Sequence, residues 1–434
     1  MGGRRKSKIP RRYLWLASAL ALVVLLRLGD AVLVSGSAAA TRLPAIARGS
    51  HWVATWGASP QPAVERNLSA GGFRAQTIRE IVLTSAGGAR IRVRFSNAFG
   101  TRPLRVARAA VAVEGDGASL AAGTSTPVYF AGRRSVVIPA GGEATSDTVP
   151  LAAGPGEHLA VSVYLAGPTG PATEHANAQQ LGYVAAGQHL LAGPGAFRKR
   201  TYSWYFLAGV DVLAPPRIEG AVVALGDSIT DGVGTRVNAD ARWPNDLARR
   251  LTAVRGKTLA VVDEGIGGNR VLNAAPCCGP SAISRFETDV RDQPGVRDVI
   301  LLEGVNDIGE SQSQGALTAP HTNVSVRQIV EGYERIIALA HDAGLRIFGA
   351  TLTPFEGARY WTPAAEAKRD AVNEWIRSSG AFDGVIDFAA VVSDPQDPDR
   401  LDPQFDSGDH LHPNAAGYQA MAASINLSAL LRSR

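Results

Sequence analysis

The sequence predicts two fold classes in succession, an antiparallel β-sandwich and then an α/β fold built on a parallel sheet. Between His51 and about Pro215, short segments alternate polar and apolar residues between turn-forming clusters, which is typical of antiparallel strands. After Pro215-Pro216, short apolar runs alternate with amphipathic stretches, which favours a parallel sheet with helices on both faces. The 434 residues also exceed what one typical core requires. We therefore expect a β-sandwich accessory domain over residues 50–215 and an α/β domain over residues 218–434.

Residues 1–40 have the pattern of an export leader. A basic segment precedes an uncharged apolar run from Tyr13 to Leu26, and Ala38-Ala39-Ala40 resembles a cleavage site. The run is shorter than the roughly 20 residues of a membrane span. Because Arg27 and Asp30 lengthen the distance to the cleavage site, an uncleaved signal anchor is the alternative to a signal peptide. We expect a secreted, periplasmic or extracellular protein, with no stable membrane insertion beyond a possible anchor in this leader.

The positive charge of the chain belongs to this leader. Residues 1–40 hold seven Lys or Arg and one Asp, whereas the whole chain has a net charge of +5, so about −1 is left for the rest. No basic stripe interleaved with aromatic residues follows. The composition therefore predicts no nucleic-acid partner.

The two cysteines, Cys277 and Cys278, are neighbours in the sequence. Adjacent cysteines rarely satisfy the geometry of a disulfide with each other, and the chain has no other cysteine as a partner. The spacings typical of zinc sites are absent as well. We expect no metal or other cofactor, and the redox state of the pair stays open.

The amino-terminal part contains several strand-like segments and a group of aromatic residues. The segments with period two or with short apolar runs are 78–84, 90–96, 104–113, 128–130, 135–138 and 159–165. Trp52, Trp56, Tyr202 and Trp204 favour either packing at a domain edge or a platform on which sugar rings stack. Edge packing predicts a support domain, whereas a platform predicts a carbohydrate-binding module.

The carboxy-terminal part alternates strand and helix patterns. Apolar runs predict buried strands at 221–225, 259–262, 299–302, 346–350 and 385–388. Apolar residues at intervals of three and four predict a helix from Val326 to His341. Thr362 and Pro363 are an N-cap and a first helical residue, and Gly380 is a terminator, so a second helix is expected between them.

A serine follows the first of these strands within Gly226-Asp227-Ser228-Ile229-Thr230. The glycine lets the backbone turn sharply at the carboxyl end of the strand, where open α/β sheets bind their ligands. Serine ester hydrolysis also requires a base, a group that orients the base, and donors for the oxyanion. Ser228 is therefore a candidate nucleophile if those groups follow along the chain.

Three later segments supply such groups, each near a predicted strand end. Gly267-Gly268-Asn269 allows close backbone approach, and Gly304-Val305-Asn306-Asp307 offers a carboxamide donor and an acid that can hold the loop. Asp409 precedes His412 by three residues, a spacing at which a carboxylate can orient an imidazole. Asp406 and His410 form a rival pair at a spacing of four.

The ordered segments GDSIT, GGN, GVND and DHLHP resemble the four blocks of the SGNH/GDSL hydrolase family. The resemblance implies a flavodoxin-like three-layer α/β/α fold and a serine esterase without a metal. It implies Ser228 as nucleophile, His412 as base and Asp409 as orienting acid, with the backbone N–H groups of Ser228 and Gly268 and the side chain of Asn306 as oxyanion donors. GPSAISRFETDV, GATLTPFEG and WVATWGASPQ resemble a secreted bacterial subgroup with two domains.

The resemblance implies hydrolysis of carboxylic esters through an acyl-enzyme. A small-molecule or polysaccharide ester is the expected partner, with short acyl groups such as acetyl esters on carbohydrates. A lysophospholipase or lipase would use the same site, although no long apolar lid is visible. O-acyl transfer to a sugar hydroxyl would also use the same residues. Carbohydrate binding without catalysis is less favoured, because every catalytic position is filled.

Overall fold

The first 14 strands belong to antiparallel sheets that occupy residues 51–214, called here the antiparallel region. The computed structural model describes residues 43–65 and 67–432, so the expectations for the leader lie outside the described residues. One short helix, α1 (Leu68–Gly71), interrupts the strands. The strands are β1 (His51–Gly57), β2 (Gln76–Leu83), β3 (Ile91–Ser96), β4 (Leu104–Val106), β5 (Arg108–Val113), β6 (Thr126–Val128), β7 (Val136–Ile138), β8 (Glu143–Thr145), β9 (His158–Leu165), β10 (Glu174–His175), β11 (Gly182–Ala186), β12 (Lys199–Thr201), β13 (Trp204–Tyr205) and β14 (Leu207–Ala214).

Ten of these strands form a four-stranded sheet in the order β1-β14-β3-β8 and a six-stranded sheet in the order β12-β11-β2-β9-β5-β6, and the other four form the two-stranded sheets β4-β7 and β10-β13. Strand β2 pairs with β9 over its whole length, from Gln76 opposite Leu165 to Leu83 opposite His158. Most buried apolar residues of both sheets belong to one hydrophobic cluster, whereas Ile81, Ala160 and Tyr183 of the six-stranded sheet belong to a second, small one. The expected run 104–113 is divided at Ala107, because residues on its two sides pair with different strands.

Residues 218–432, called here the α/β region, are built on a parallel sheet of five strands. These are β15 (Ile218–Gly226), β16 (Thr258–Gly265), β17 (Val296–Leu302), β18 (Arg346–Ala350) and β19 (Gly384–Ile386), and their order in space is β16-β15-β17-β18-β19. That order corresponds to 2-1-3-4-5, the flavodoxin-like arrangement, in which ligands bind beside the first strand at the carboxyl edge. The parallel α/β fold expected from the sequence is therefore confirmed.

Nine helices and a hairpin accompany this sheet among the described residues. The hairpin consists of β20 (Ser393–Asp394) and β21 (Asp397–Leu401). The helices are α2 (Ser228–Asp231), α3 (Trp243–Thr252), α4 (Ala282–Phe286), α5 (Val305–Gly309), α6 (Val326–Asp342), α7 (Pro363–Ser378), α8 (Phe388–Val392), α9 (Ala415–Ser424) and α10 (Leu427–Leu430). Helix α9 contacts both α3 and α8, and helix α6 contacts both α4 and α7. None of the described helices is both long enough and apolar enough to cross a membrane.

The two long helices begin where their capping residues predict. Ser325 and Gln328 form a reciprocal capping box at the start of α6. The hydroxyl of Thr362 accepts a hydrogen bond from Ala365 N at the start of α7. The expected strand at 385–388 is wrong at its end, because β19 stops at Ile386 and Asp387 accepts a hydrogen bond from Ala390 N as the N-cap of α8.

The antiparallel region covers the edge of the parallel sheet. Strand β1 packs beside the edge strand β16, and the hydroxyl of Ser85 accepts a hydrogen bond from Val261 N at 3.0 Å. An edge strand with unpaired backbone groups invites pairing with other chains, so this cover removes that exposure. Buried polar bonds also join the regions, from the Ser59 hydroxyl to Glu264 at 2.7 Å and between His175 Nε2 and Asp231 at 3.2 Å.

The aromatic residues of the antiparallel region do not form an exposed platform. Trp56 and Trp204 are buried and pack edge to face, with ring centroids 4.9 Å apart. The guanidinium of Arg92 lies over the ring of Trp52, and Tyr202 alone of the four is exposed. Edge packing is therefore the arrangement observed, and the four residues do not form the alternative, a platform for sugar rings.

Candidate active site

Ser228 lies at the carboxyl end of β15, where the chain turns directly into α2. A side chain on Gly226 would lie 2.4 Å from the carbonyl oxygen of Leu302, so this close approach of β15 and β17 requires a glycine. The carboxylate of Asp227 accepts a hydrogen bond from Ile229 N at 2.9 Å and caps the helix. Ser228 thus becomes the first residue of α2, with its side chain beside the carboxyl edge of the sheet.

His412 reaches Ser228 from a loop 184 residues further along the chain. Its Nε2 lies 2.8 Å from Oγ of Ser228. Its Nδ1 lies 2.6 Å from Oδ2 of Asp409, and its backbone N–H donates to Oδ1 of the same carboxylate at 2.9 Å. Ser228, His412 and Asp409 therefore form one continuous chain of hydrogen bonds.

The rival pair forms as well, but it does not join this chain. Nδ1 of His410 lies 2.6 Å from Oδ2 of Asp406. His410 has a φ of 61° and a side chain that is 57% exposed, whereas the side chain of His412 is 12% exposed. The left-handed backbone at His410 separates the directions of the two imidazoles, and His412 is the one hydrogen-bonded to Ser228.

The groups expected to bind an oxyanion lie on neighbouring loops at the same sheet edge. Gly268 follows β16 and has a φ of 76°, a conformation that favours glycine. Asn306 lies in α5 after β17, and its Nδ2 donates to the carbonyl oxygen of Asn269 at 3.0 Å. The carboxylate of Asp307 accepts from Val271 N at 2.7 Å and Leu272 N at 3.1 Å. Hydrogen bonds therefore join the loops after β16 and β17.

Two residues that shape this site were missed by the sequence analysis. Tyr360 donates its hydroxyl hydrogen to Oδ1 of Asn306 at 3.2 Å. The guanidinium of Arg285 donates to the carbonyl oxygens of Gly226 at 2.9 Å and Glu264 at 2.7 Å, and to Oδ1 of Asn269 at 3.0 Å. One buried side chain in α4 thus connects the ends of β15 and β16 with the glycine-rich loop. The segment GPSAISRFETDV contained Arg285, but nothing in its local pattern indicated these partners.

The carboxylates around the site have different electrostatic environments. Partial burial acts to raise the pKa of Asp409, but the hydrogen bonds from His412 outweigh burial and lower that pKa below its ordinary value. Burial raises the pKa of Asp227 to about 7, against the hydrogen bond from Ile229 N. Burial also raises the pKa of Glu303 well above its usual range, and the neighbouring Asp227 adds to that rise. Of these three, Asp409 is the carboxyl held in its charged form.

Burial decides the roles of two further charged residues. Glu303 is buried beneath the site, 3.7 Å from Arg285, so it is a structural carboxyl. Arg270 is buried too and donates to backbone carbonyl oxygens, including that of Pro320 at 2.7 Å. Arg270 is therefore a structural residue that holds the backbone of a neighbouring loop.

Cys277 and Cys278 are joined to each other by a disulfide. The sequence left the redox state of this pair open, and the structure shows the bonded form, although neighbouring cysteines rarely pair with each other. The loop is held from outside, because Cys277 N donates to the carbonyl oxygen of Leu317 at 3.0 Å and Gln61 Nε2 donates to that of Cys277 at 3.1 Å. These contacts fix the backbone on both sides of the bonded sulfurs.

Two groups of acidic side chains in the described part of the chain are close enough together to bind a metal ion. Their members are Glu356, Asp397 and Asp399, and Glu366, Asp370 and Asp399. An arginine already pairs with members of each group, because Arg400 contacts Glu356 and Asp397, and Arg369 contacts Glu366, Asp370 and Asp399. A cation would therefore compete with these guanidinium groups for the carboxylate oxygens.

Comparison with known proteins concerns the segment that holds these residues. Residues 224–420 match the model of the GDSL-like lipase/acylhydrolase family. No curated protein sequence matches the chain. Among solved structures, a GDSL-like lipase from Bacteroides thetaiotaomicron is 18% identical, covers 48% of this chain and 87% of its own, and has a TM-score of 0.36. An aryl esterase from M. smegmatis is 16% identical, covers 47% of this chain and 94% of its own, and has a TM-score of 0.37. An acetyl xylan esterase is 19% identical, covers 49% of this chain and 100% of its own, and has a TM-score of 0.35.

The matched segment begins within β15 and extends into α9. It contains Ser228, Gly268, Asn306, Asp409 and His412, together with the whole parallel sheet from the end of β15 onward. Residues 224–420 are therefore a domain of the GDSL-like lipase/acylhydrolase family, and this domain is a hydrolase of carboxylic esters.

Proposed function

We propose that the protein is an exported serine esterase that cleaves short acyl esters, such as acetyl groups on carbohydrates, through an acyl-enzyme. One observation carries the catalytic part of this proposal, the continuous hydrogen-bond chain from Ser228 through His412 to Asp409. Nucleophile, base and orienting acid are the three side chains that serine acyl transfer requires.

In the proposed reaction, Nε2 of His412 takes the hydroxyl proton of Ser228 as Oγ attacks the ester carbonyl. The ionised carboxylate of Asp409 holds Nδ1–H of His412 and stabilises the imidazolium that forms. His412 then gives the proton to the leaving alkoxide, and the acyl group stays on Oγ. Water, deprotonated by the same imidazole, attacks the acyl-enzyme and releases the acid and free Ser228.

The negative charge on the carbonyl oxygen needs hydrogen-bond donors in each tetrahedral intermediate. We assign this role to the backbone N–H groups of Ser228 and Gly268 and to Nδ2 of Asn306. Asn269 and Tyr360 occupy one N–H and the oxygen of the Asn306 carboxamide, so the second N–H of Nδ2 is left to donate. Loss of one such donor typically lowers the rate roughly 10²–10³-fold.

The short acyl group is inferred from the surface around these loops. A long acyl chain needs contiguous apolar surface to leave water. Among the described residues, Val237 and Leu317 are the large apolar side chains that are exposed on the loops following β15 and β17. Two separate side chains supply little such surface, which supports an acetyl-sized substrate. The leader pattern of residues 1–40 supports export.

The test is hydrolysis of nitrophenyl esters from acetyl to long-chain by residues 43–434, with Ser228→Ala as the matched variant. We expect turnover that requires Ser228 and that falls steeply as the acyl chain lengthens. Acetylated polysaccharides are then the substrates to assay for released acetate. Preference for long chains would contradict the short-acyl assignment, and equal activity of the two proteins would contradict the catalytic one.

A further inference from the structure

The Cys277–Cys278 disulfide contacts the glycine that we assign to the oxyanion site. A Cβ built on Gly268 would lie 2.6 Å from Sγ of Cys278, a distance shorter than real Cβ contacts allow. The sulfur therefore fills the space that a side chain at position 268 would take. Since Cys278 is buried, its sulfur is part of the packing behind the loop that carries the Gly268 N–H.

The same loop is also connected to Asn306. Nδ2 of Asn269 donates to the carbonyl oxygen of Cys278 at 2.8 Å, and the carbonyl oxygen of Asn269 accepts from Nδ2 of Asn306 at 3.0 Å. The disulfide loop thus touches one proposed oxyanion donor directly and the other through a single residue. The positions of both proposed donors therefore depend on the disulfide loop.

A disulfide between neighbouring residues has little to contribute to global stability. A disulfide stabilises mainly by closing a loop in the unfolded chain, and the effect grows with the length of that loop. Cys277 and Cys278 are one residue apart in sequence, so almost no loop is closed. The effect of this bond is therefore expected to be local.

Breaking the bond changes the space that the sulfurs need. Bonded sulfurs lie about 2 Å apart, whereas non-bonded heavy atoms prefer separations of roughly 3.5–4.0 Å. External hydrogen bonds hold the backbone of both cysteines, so the sulfurs themselves must move. Sγ of Cys278 has Gly268 beside it, and a misplacement of about 1 Å at a catalytic group can lower a rate about 10²-fold.

We propose that the Cys277–Cys278 disulfide is a positioning element for the oxyanion site, which holds the Gly268 N–H where the developing negative charge requires it. This inference rests on the proposed function of Ser228 and Gly268. It goes beyond that function because it makes the rate of ester hydrolysis depend on the redox state of a pair that takes no part in the reaction. Cys278 touches Gly268 and not the substrate, so it is a positioning residue and not a catalytic one.

The test compares the oxidised and the reduced protein. Tris(2-carboxyethyl)phosphine is the reductant, and half-buried Cys277 gives it access to the bond. The phosphine is oxidised to its oxide with an oxygen atom from water, and the two sulfurs take up two electrons and two protons to become thiols. Counting thiols in the unfolded protein before and after treatment should give none and two. The kcat and KM for nitrophenyl acetate and the melting temperature are then measured on both forms.

We expect reduction to lower kcat by roughly 10- to 100-fold, with KM and the melting temperature unchanged, and reoxidation to restore kcat. The double variant Cys277→Ser, Cys278→Ser should have the lower kcat from the start and should not respond to the phosphine. Should that variant not fold, the reduced wild type alone carries the test.

Three results would overturn the proposal. The first is an unchanged kcat in protein whose two cysteines are titrated as thiols. The second is a count of two thiols before any reduction, which would mean that no disulfide is present. The third is a loss of activity that comes with a lower melting temperature or a higher KM. Ser228→Ala separates this failure from a failure of the proposed function, because activity that persists without Ser228 contradicts the catalytic assignment whatever the state of the cysteines.

Discussion

The hydroxyl of Tyr360 holds the carboxamide of Asn306 in one orientation. The two residues are 54 positions apart, and the hydroxyl donates to Oδ1 at 3.2 Å. A carboxamide turned by 180° would present its NH₂ group to Tyr360 and its oxygen to the carbonyl of Asn269, and the latter contact would have no hydrogen between two acceptors. Tyr360 and Asn269 together therefore select the orientation in which an N–H can face an oxyanion.

Replacing Tyr360 by Phe should lower kcat about 3- to 10-fold, which corresponds to one hydrogen bond of roughly 1 kcal/mol, with KM unchanged. The measurement is steady-state hydrolysis of nitrophenyl acetate. Tyr333→Phe is the matched control, because Tyr333 is equally buried but donates to the carbonyl oxygen of Glu303. We expect this control to keep its kcat. A Tyr360→Phe variant with wild-type kcat would remove Tyr360 from the orienting role.

The two histidine–aspartate pairs allow a comparison within one loop. Asp409→Asn should lower kcat on the order of 10²–10⁴-fold, because an amide in place of the carboxylate favours the wrong tautomer of His412 and does not stabilise the imidazolium. Asp406→Asn changes a pair of the same 2.6 Å length that is not bonded to Ser228, so kcat should change little. Equal losses from the two substitutions would mean that the whole loop, and not Asp409, supports activity.

Arg285→Met should strongly destabilise the protein. The side chain is 2% exposed and contacts the buried carboxylate of Asp289, so its removal leaves that acid without its cation, at a cost of about 3–5 kcal/mol. Arg291→Met is the control, since Arg291 lies on the surface five residues beyond α4 and pairs with the exposed acids Glu287 and Asp292. Its effect should be within about 1 kcal/mol. The measurement is urea unfolding of the wild type and the two variants. Similar unfolding midpoints for the two variants would contradict the predicted role of Arg285.

Asp263→Asn should change how stability depends on pH. Burial raises the pKa of Asp263 to about 7, although Arg242 opposes that rise. Between the ordinary pKa of an aspartate and about 7, the folded state holds a proton that the unfolded state has released. This contribution to stability is therefore complete at acid pH and is lost as the pH rises through 7, by up to about 4 kcal/mol.

The asparagine variant has no such titration. Its stability should equal that of the wild type near pH 4 and exceed it above pH 7. Urea unfolding of both proteins at several pH values measures the difference. If the stability difference between the two proteins were the same at every pH, the titration of Asp263 would be excluded as its cause.

The sequence predicted those parts of the fold that local patterns encode. Apolar runs and caps located most of the parallel strands and both long helices, and four ordered blocks identified residues that the fold brings together across 184 positions. Tyr360 and Arg285 were missed because their roles depend on partners in distant loops, which no periodicity or spacing indicates. The predicted end of the last parallel strand, at residue 388, was wrong. The carboxylate of Asp387 caps a helix that begins at Phe388, although Phe388 continues the apolar run.

The buried pairs between the two regions bear on how such a chain can evolve. Glu264 and Asp231 belong to the α/β region, yet Ser59 and His175 of the antiparallel region supply hydrogen-bond partners to them. A recombination event that exchanged residues 51–214 for an unrelated β-rich sequence would remove these hydrogen-bond partners from two buried carboxyls. The edge of β16 would lose its cover at the same time. The two halves are therefore expected to be inherited together, as one unit of selection and not as exchangeable modules.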